Sequence, residues 1–486
     1  MSELLLAAVS LDVTPPPGHR LDGYAAREGN ATGTADPLRA TMIWLSTADS
    51  PGVLWLSLDA IAVSTELAAE LSTAAGSAAG IPPECVLVCA SHTHSAPAGW
   101  AGQIHPVIPV CREPDLYEAL TTAVASASME RRPVRASWRS AEVVGVGTNR
   151  HRRNGPHDNT AGILTLHSVA DGSLTAVLLD FACHPTTYGP ENLLYSADWP
   201  GATRKALTHL TTTPTSPPAP ASPAAPAAAA SPAAAPAAAP ARDGSASDFS
   251  IPDTAALHSS APDASVSASA AGADAAQREP VVGFLQGAAG DVSPRFTRQG
   301  RGALEVARLG GLLATRVAEA IAMPGLDLPS EAPTIRRATV TLKVRDLPTP
   351  TDLEAVVATA EAGLHTGQDD PTRRIAQTRL DGARGQALMA AADLPPTLDL
   401  PISVVMLGDV AWVHLPVELF ASHGCHLQAD SPHPITRVIG YTDGYYGYVV
   451  DPDAAHQGTY EALITYFDQP TTQTLLTSAT NLLTAE

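Results

Sequence analysis

Val86-Leu87-Val88-Cys89-Ala90-Ser91-His92-Thr93-His94-Ser95 changes character halfway along. Its first half is apolar, in the pattern of a strand buried on both faces. Its second half sets two imidazoles among hydroxyls, where the strand is predicted to end in a loop. Such a junction of buried strand and polar loop is a usual setting for a site. On an extended backbone His92 and His94 would present both rings on one side. That arrangement suits two metal ligands, or one ligand beside an acid–base group. Two surface histidines in a Ser-rich loop would be spelled the same way, so the pair alone does not decide the chemistry. Cys85 and Cys89, four apart, are expected to share one face of this strand as small buried residues do.

On either side of that strand, tight turns join apolar runs in pairs. Gly162–His167 and Leu174–Phe181 flank Asp171-Gly172, Ile402–Leu407 and Val410–Leu415 flank Gly408-Asp409, and Met42–Ser46 and Val53–Asp59 flank the turn at 49–52. Each reads as an antiparallel hairpin. Helical periodicity is expected over Ser64–Ala75, with Ser64 as N-cap, and over Pro114–Met129, Leu304–Ala322 and Asp352–Leu364. Together these predict an α+β, mixed α/β architecture. Largely antiparallel sheets form a sandwich with outer helices, in a single catalytic domain.

Composition limits the partners. The 486 residues carry 29 Lys+Arg against 49 Asp+Glu, a formal charge of −20. That balance argues against nucleic acid and against an anionic membrane surface. No stretch reaches the roughly 18 consecutive apolar residues of a membrane-spanning helix, so no transmembrane segment is expected. The opening Met1–Pro17 has no basic start or convincing cleavage site, and the five cysteines suggest no disulfide framework. A reduced, cytoplasmic chain is therefore expected. Between Thr211 and Pro240, 14 Ala and 9 Pro make 23 of 30 residues. Proline blocks helix propagation and alanine buries little, so 211–278 is expected to be a disordered Ala/Pro/Ser-rich insertion. It would interrupt one domain made of 1–210 and 279–486.

Further segments carry groups with two readings each. Phe181-Ala182-Cys183-His184-Pro185 ends an apolar strand in a histidine restricted by proline, as a packed core histidine also would be. Asp198 suits a helix cap or a supporting role in a site. Gly287–Pro294, which includes Ser293, follows the apolar Val281–Leu285 run. Its small residues would let backbone amides approach a substrate. It lacks both the Lys-Ser/Thr of a phosphate loop and the Gly-x-Ser-x-Gly of a nucleophile elbow. Glu418 lies in apolar sequence, where a bare carboxylate is costly unless paired or cation-bound; it equally suits the first turn of an exposed helix. Four of the ten tyrosines fall within 441–448, as core or as a binding wall. Arg150 alone reads as a surface arginine.

In their order along the chain, several segments resemble the neutral/alkaline (non-lysosomal) ceramidase family, specifically its N-terminal catalytic domain. They are Leu11–Pro16, Leu21-Asp22-Gly23-Tyr24-Ala25, Ala35–Leu38, Ser91–Ser95, Asn149-Arg150, Phe181–His184, Gly290–Pro294, Pro416-Val417-Glu418, Tyr445–Tyr448 and Tyr460-Glu461. The resemblance spans nearly everything but the Ala/Pro insertion. It implies one zinc ion (Zn2+) per chain held by His92, His184, Glu418 and Tyr448, with His94 as the acid–base group. Arg150 and Tyr460 would hold the substrate carbonyl, and Ser293 would line the site. The implied activity is that of a zinc-dependent amidohydrolase cleaving a small-molecule N-acyl amide by metal-activated water. An acyl transferase or cyclase would use the same site, and a non-catalytic binding protein would keep the same fold.

Overall fold

The hairpins read from the sequence form, and they tile two facing sheets. The structure, a computed structural model, describes residues 3–100, 105–106, 112–212, 279–366 and 370–485. The larger sheet contains β1 (Leu5–Asp12), β2 (Arg39–Ser46), β3 (Val53–Leu58) and β4 (Val86–Ala90). It continues with β5 (Arg132–Glu142), β6 (Thr160–Ser168), β7 (Leu174–Phe181) and β8 (Val281–Gln286). Their order in space is β8-β7-β6-β5-β1-β2-β3-β4, and Leu326–Asp327 adds a ninth strand beside β5. Neighbours run antiparallel except at the two ends, where β8 is parallel to β7 and β4 to β3. The smaller sheet orders β9 (Thr334–Lys343), β10 (Thr397–Leu407), β11 (Val410–His414) and β12 (Ile435–Ile439), its last pair parallel.

Side-chain alternation explains the layering. In β2, β3 and β4, Met42, Trp44, Leu54, Leu56, Val86 and Val88 point outward, beneath α1 (Thr65–Ala79) and α2 (Pro114–Ala125). Their neighbours Ile43, Leu45, Val53, Trp55 and Leu87 point at the other sheet. At the opposite end Ile163, Val177, Leu179 and Phe284 lie under α3 (Asp198–Thr212) and α4 (Ala303–Ile321). The smaller sheet gives Val405, Leu407, Val410 and Trp412 to the shared core. There the Trp412 ring meets Trp55 and Trp138 edge-on at centroid distances of 6.0 and 5.5 Å. Three more long helices follow, α5 (Pro350–Thr366), α6 (Asp370–Ala391) and α7 (Ala421–Ala429). Helix α8 (Gln469–Thr484) covers the outer face of the smaller sheet. The result is a helix–sheet–sheet–helix stack, and both faces of β4 are covered. That is why β4 is buried at every position instead of alternating.

Details depart from the sequence reading for local reasons. Cys85 does not share β4 with Cys89; it closes a 3₁₀ turn begun by Pro82 and Pro83, which lack the N–H a ladder needs. Helix α1 begins as read, with Ser64 Oγ accepting from Leu67 N at 3.0 Å. Thr211 and Thr212, placed in the insertion by composition, are instead the last helical residues of α3. The remainder of that expected coil lies outside the described residues. The described residues belong to one compact unit of the chain, Met1–Thr213 with Gln277–Glu486. No helix among the described residues is long and apolar enough to cross a membrane.

Candidate metal centre

Strands β4, β7, β8, β11 and β12 all release their C-terminal ends at one place, where the two sheets meet. Backbone bonds stitch the junction: Gly440 N donates to Gln286 O at 3.0 Å and Ala90 N to Tyr441 O at 3.0 Å. The fully buried Gln286 side chain closes it. Its Nε2 donates to Cys183 O at 2.8 Å and Ser91 O at 3.2 Å, while its Oε1 accepts from Cys183 N at 3.2 Å. Among the described residues the four non-glycine positions of positive φ are His92, Asp198, Tyr441 and Asp443. His92 is a candidate ligand and Tyr441 bonds the candidate ligand Glu418, so strain concentrates around this junction. His92, at φ 67°, is therefore not extended as the spelling suggested. The left-handed turn, fixed by His92 N donating to Ala60 O at 2.8 Å, still brings the two rings together.

Three imidazoles converge with their proton positions settled by backbone carbonyls. His92 Nδ1 donates to Ile61 O at 2.6 Å, His94 Nδ1 to Gly23 O at 2.9 Å, and His184 Nδ1 to Ala289 O at 2.6 Å. A carbonyl only accepts, so each neutral ring carries its hydrogen on Nδ1 and turns a bare Nε2 inward. His94 Nε2 lies 3.3 Å from His92 Nε2. Glu418 Oε2 lies 3.3 Å from His92 Nε2 and 3.1 Å from His184 Nε2. Lone pairs facing one another at that range repel unless a cation sits among them, so this donor set fits a divalent metal ion. His92, His94 and His184 offer ligand atoms within 4.8 Å of one another. Burial, with repulsion from its neighbours, holds His94 well below its usual pKa, and burial and Arg150 bring His184 to about 4. Both rings are thus neutral near pH 7, as ligation requires.

Glu418 is buried in a two-residue strand, Glu418–Leu419, paired in parallel with Tyr448–Val449. The exposed-helix reading of Glu418 is therefore replaced by a paired, buried carboxylate. Burial works against its charge, so the carboxylate needs a partner at each oxygen. Tyr445 OH donates to its Oε1 and Tyr441 OH to its Oε2, the latter at 3.3 Å. The pairing sets Tyr448 beside Glu418, and Tyr448 OH lies 3.3 Å from Arg150 Nη2. Arg150, far from being a solvated surface group, puts Nη1 3.3 Å from His184 Nε2 and pairs with Glu461. The Tyr460 ring meets Tyr448 edge-on at 6.3 Å. Ser293 is buried beside this group, pairing with Thr148, and its Oγ accepts from Arg295 N at 3.3 Å.

Several supporting residues escaped the sequence reading. Asp291 accepts from Asn149 Nδ2 at 2.5 Å and Ala421 N at 2.8 Å, and its backbone oxygen accepts from Arg150 N at 2.7 Å. Burial raises its carboxyl to about 6. Gly23, at φ 101°, lies so close to His94 that a Cβ would stand 2.5 Å from His94 Cβ. Asp198 is the first residue of its helix and takes the supporting role of the two suggested. It accepts from Trp199 N at 2.7 Å at the start of α3, and from Thr187 N at 2.9 Å in the loop after His184. The signal for Gln286 was a lone amide ending an apolar run.

No family model matches the chain, and no curated protein matches it. Solved structures do. The crystal structure of neutral ceramidase from Pseudomonas aeruginosa superposes with a TM-score of 0.69 at 15% identity, covering 99% of this chain and 74% of that one. A structure of ceramidase complexed with C2 gives a TM-score of 0.64 at 15% identity, covering 98% and 74%. The chain shares the fold of these ceramidases.

Proposed function

We propose that this protein is a zinc-dependent hydrolase of N-acyl amides, with one zinc per chain held by His92, His184, Glu418 and Tyr448. The observation that carries the reading is the set of inward Nε2 atoms with Glu418 Oε2 between two of them. A divalent cation in that set supplies Lewis-acid polarisation of a carbonyl and brings the pKa of water toward about 7.

The chain's own groups divide the remaining work. Arg150 and Tyr460 bind the amide carbonyl and stabilise the negative charge that develops on its oxygen. His94 is only half-buried whereas His92 and His184 are fully buried, so it is the ring placed to exchange protons. Neutral at pH 7, its Nε2 takes a proton from water and returns it to the leaving amine, an otherwise poor leaving group. Ser293 lines the wall of the site.

The purified protein is expected to hold close to one zinc by elemental analysis and to hydrolyse members of an N-acyl series of graded chain length. His92→Ala removes metal and turnover together. Undiminished hydrolysis after exhaustive chelation would sink the reading. A second arrangement, with His94 as a third nitrogen ligand, is favoured by its 3.3 Å approach to His92. His94→Ala separates the two, because an acid–base role leaves the zinc in place while a ligand role loses it.

A further inference from the structure

Arg150 is useful only if its guanidinium plane is fixed, and the residue that fixes it is Glu461. Its backbone is already held, since Arg150 N donates to Asp291 O at 2.7 Å. On the side chain, Nε donates to Glu461 Oε1 at 2.8 Å, and Nη2 forms an ion pair with the same oxygen at 2.5 Å. One buried carboxylate oxygen thus faces the Nε–Nη2 edge of the guanidinium and restricts its rotation. It leaves Nη1 facing His184 Nε2 and the rest of Nη2 facing Tyr448 OH, each at 3.3 Å. The Glu461 side chain is 3% exposed. Its second oxygen, Oε2, has no aligned donor among the described residues, and the His151 ring stands 3.3 Å away, stacked on Phe420. A buried carboxylate with a single strong partner is held by that partner and holds it in turn. Glu461 lies in the short helix Tyr460–Ile464, whose N-cap Thr459 accepts from Ala462 N, and α6 packs against the same turn. Neighbouring residues of one turn thus carry a carbonyl-binding group, Tyr460, and the anchor of another.

We infer that Glu461 is the positioning residue that aims Arg150 at the developing oxyanion. The inference rests on the hydrolase reading above, in which Arg150 touches the substrate. Glu461→Gln keeps the size and one acceptor but loses the charge, and is expected to lower kcat by about 10–100-fold with KM within about twofold. In an Arg150→Ala background the same change is expected to move kcat by less than about twofold, because a residue acting through another has nothing left to act on. Thermal midpoint and zinc content, measured on every variant, separate misfolding from misplacement. Should Glu461→Gln fail to fold, Glu461→Asp takes its place in the cycle.

A parallel arm uses inorganic phosphate, a tetrahedral oxyanion, titrated into the zinc-loaded protein. Glu461→Gln is expected to weaken phosphate binding about tenfold or more when Arg150 is present and not at all when it is Ala. Independent, additive losses in both arms, or an unchanged kcat in a folded Glu461→Gln variant, overturn the inference and leave the hydrolase reading standing. A wild type that hydrolyses no N-acyl amide, yet binds phosphate with that dependence, overturns the hydrolase reading alone. A wild type that neither hydrolyses nor binds phosphate overturns both.

Discussion

Glu418 shows what a buried carboxylate requires at this junction. Both of its oxygens receive a tyrosine hydroxyl, and Oε2 also faces two imidazoles. The hydroxyls therefore set which way the carboxylate points before any metal arrives. Where Glu418 serves as the proposed metal ligand, such partners are worth about 10–100-fold in affinity. Tyr445→Phe should weaken zinc binding by that order in competition against a chromophoric chelator, while the ring keeps its packing. An unchanged affinity would mean that the strand pairing with Tyr448 suffices. His92, His184 and Glu418 stood out in the sequence because each follows an apolar run, where an ionisable side chain needs a reason, and only the family resemblance joined them into one set. Glu461 and Asp291 lay in quoted segments without a role, since their partners Arg150 and Asn149 are 311 and 142 residues away. No local pattern records such a distance.

Elements joined by short turns were equally legible, and elements joined by long ones were not. The Asp171-Gly172 and Gly408-Asp409 turns announce β6–β7 and β10–β11 directly. The parallel pairs β7–β8 and β11–β12, which aim four strand ends at the site, have partners remote in sequence and no turn to mark them. One arginine fastens these pairs to each other. Arg437 on β12 donates through Nε to Asp180 Oδ1 on β7 at 2.7 Å, through Nη1 to Asp158 Oδ2 at 3.0 Å, and through Nη2 to Thr160 O at 2.7 Å. Replacing it with Met strands a buried Asp180, at an expected cost of about 3–5 kcal/mol in urea unfolding. The link also predicts an acid limb. Burial opposes ionisation of Asp158, but Arg437, Gln428 and Thr160 outweigh it and hold the carboxyl below its usual 3.8. A depressed carboxylate contributes stability above its unfolded pKa and loses it as pH falls through the folded value. Asp158→Asn should therefore cost stability at pH 7 and flatten the fall below about pH 4. Parallel curves for the two proteins would assign the acid limb elsewhere.

At the scale of the molecule, the site draws on segments from His92 to Glu461, so no fragment of the chain contains it. The long interruption falls between His184 and Asp291, two segments that must meet, and its effect on them can be argued from its flanks. Helix α3 packs on α4 and on β8, the strand that resumes the domain. The flanking elements thus hold each other through contacts of their own. Residues 213–278 number 66, and their composition implies a coil. Closing a coil costs about 0.6 kcal/mol for each doubling of its length, so cutting it to eight residues, three halvings, should return about 2 kcal/mol. Replacing 213–278 with an eight-residue Gly/Ser linker is therefore expected to keep one zinc per chain and raise the thermal midpoint by a few degrees. Lost zinc or a lowered midpoint would show that the segment supports the domain it interrupts, and that composition misled the reading of it as an insertion.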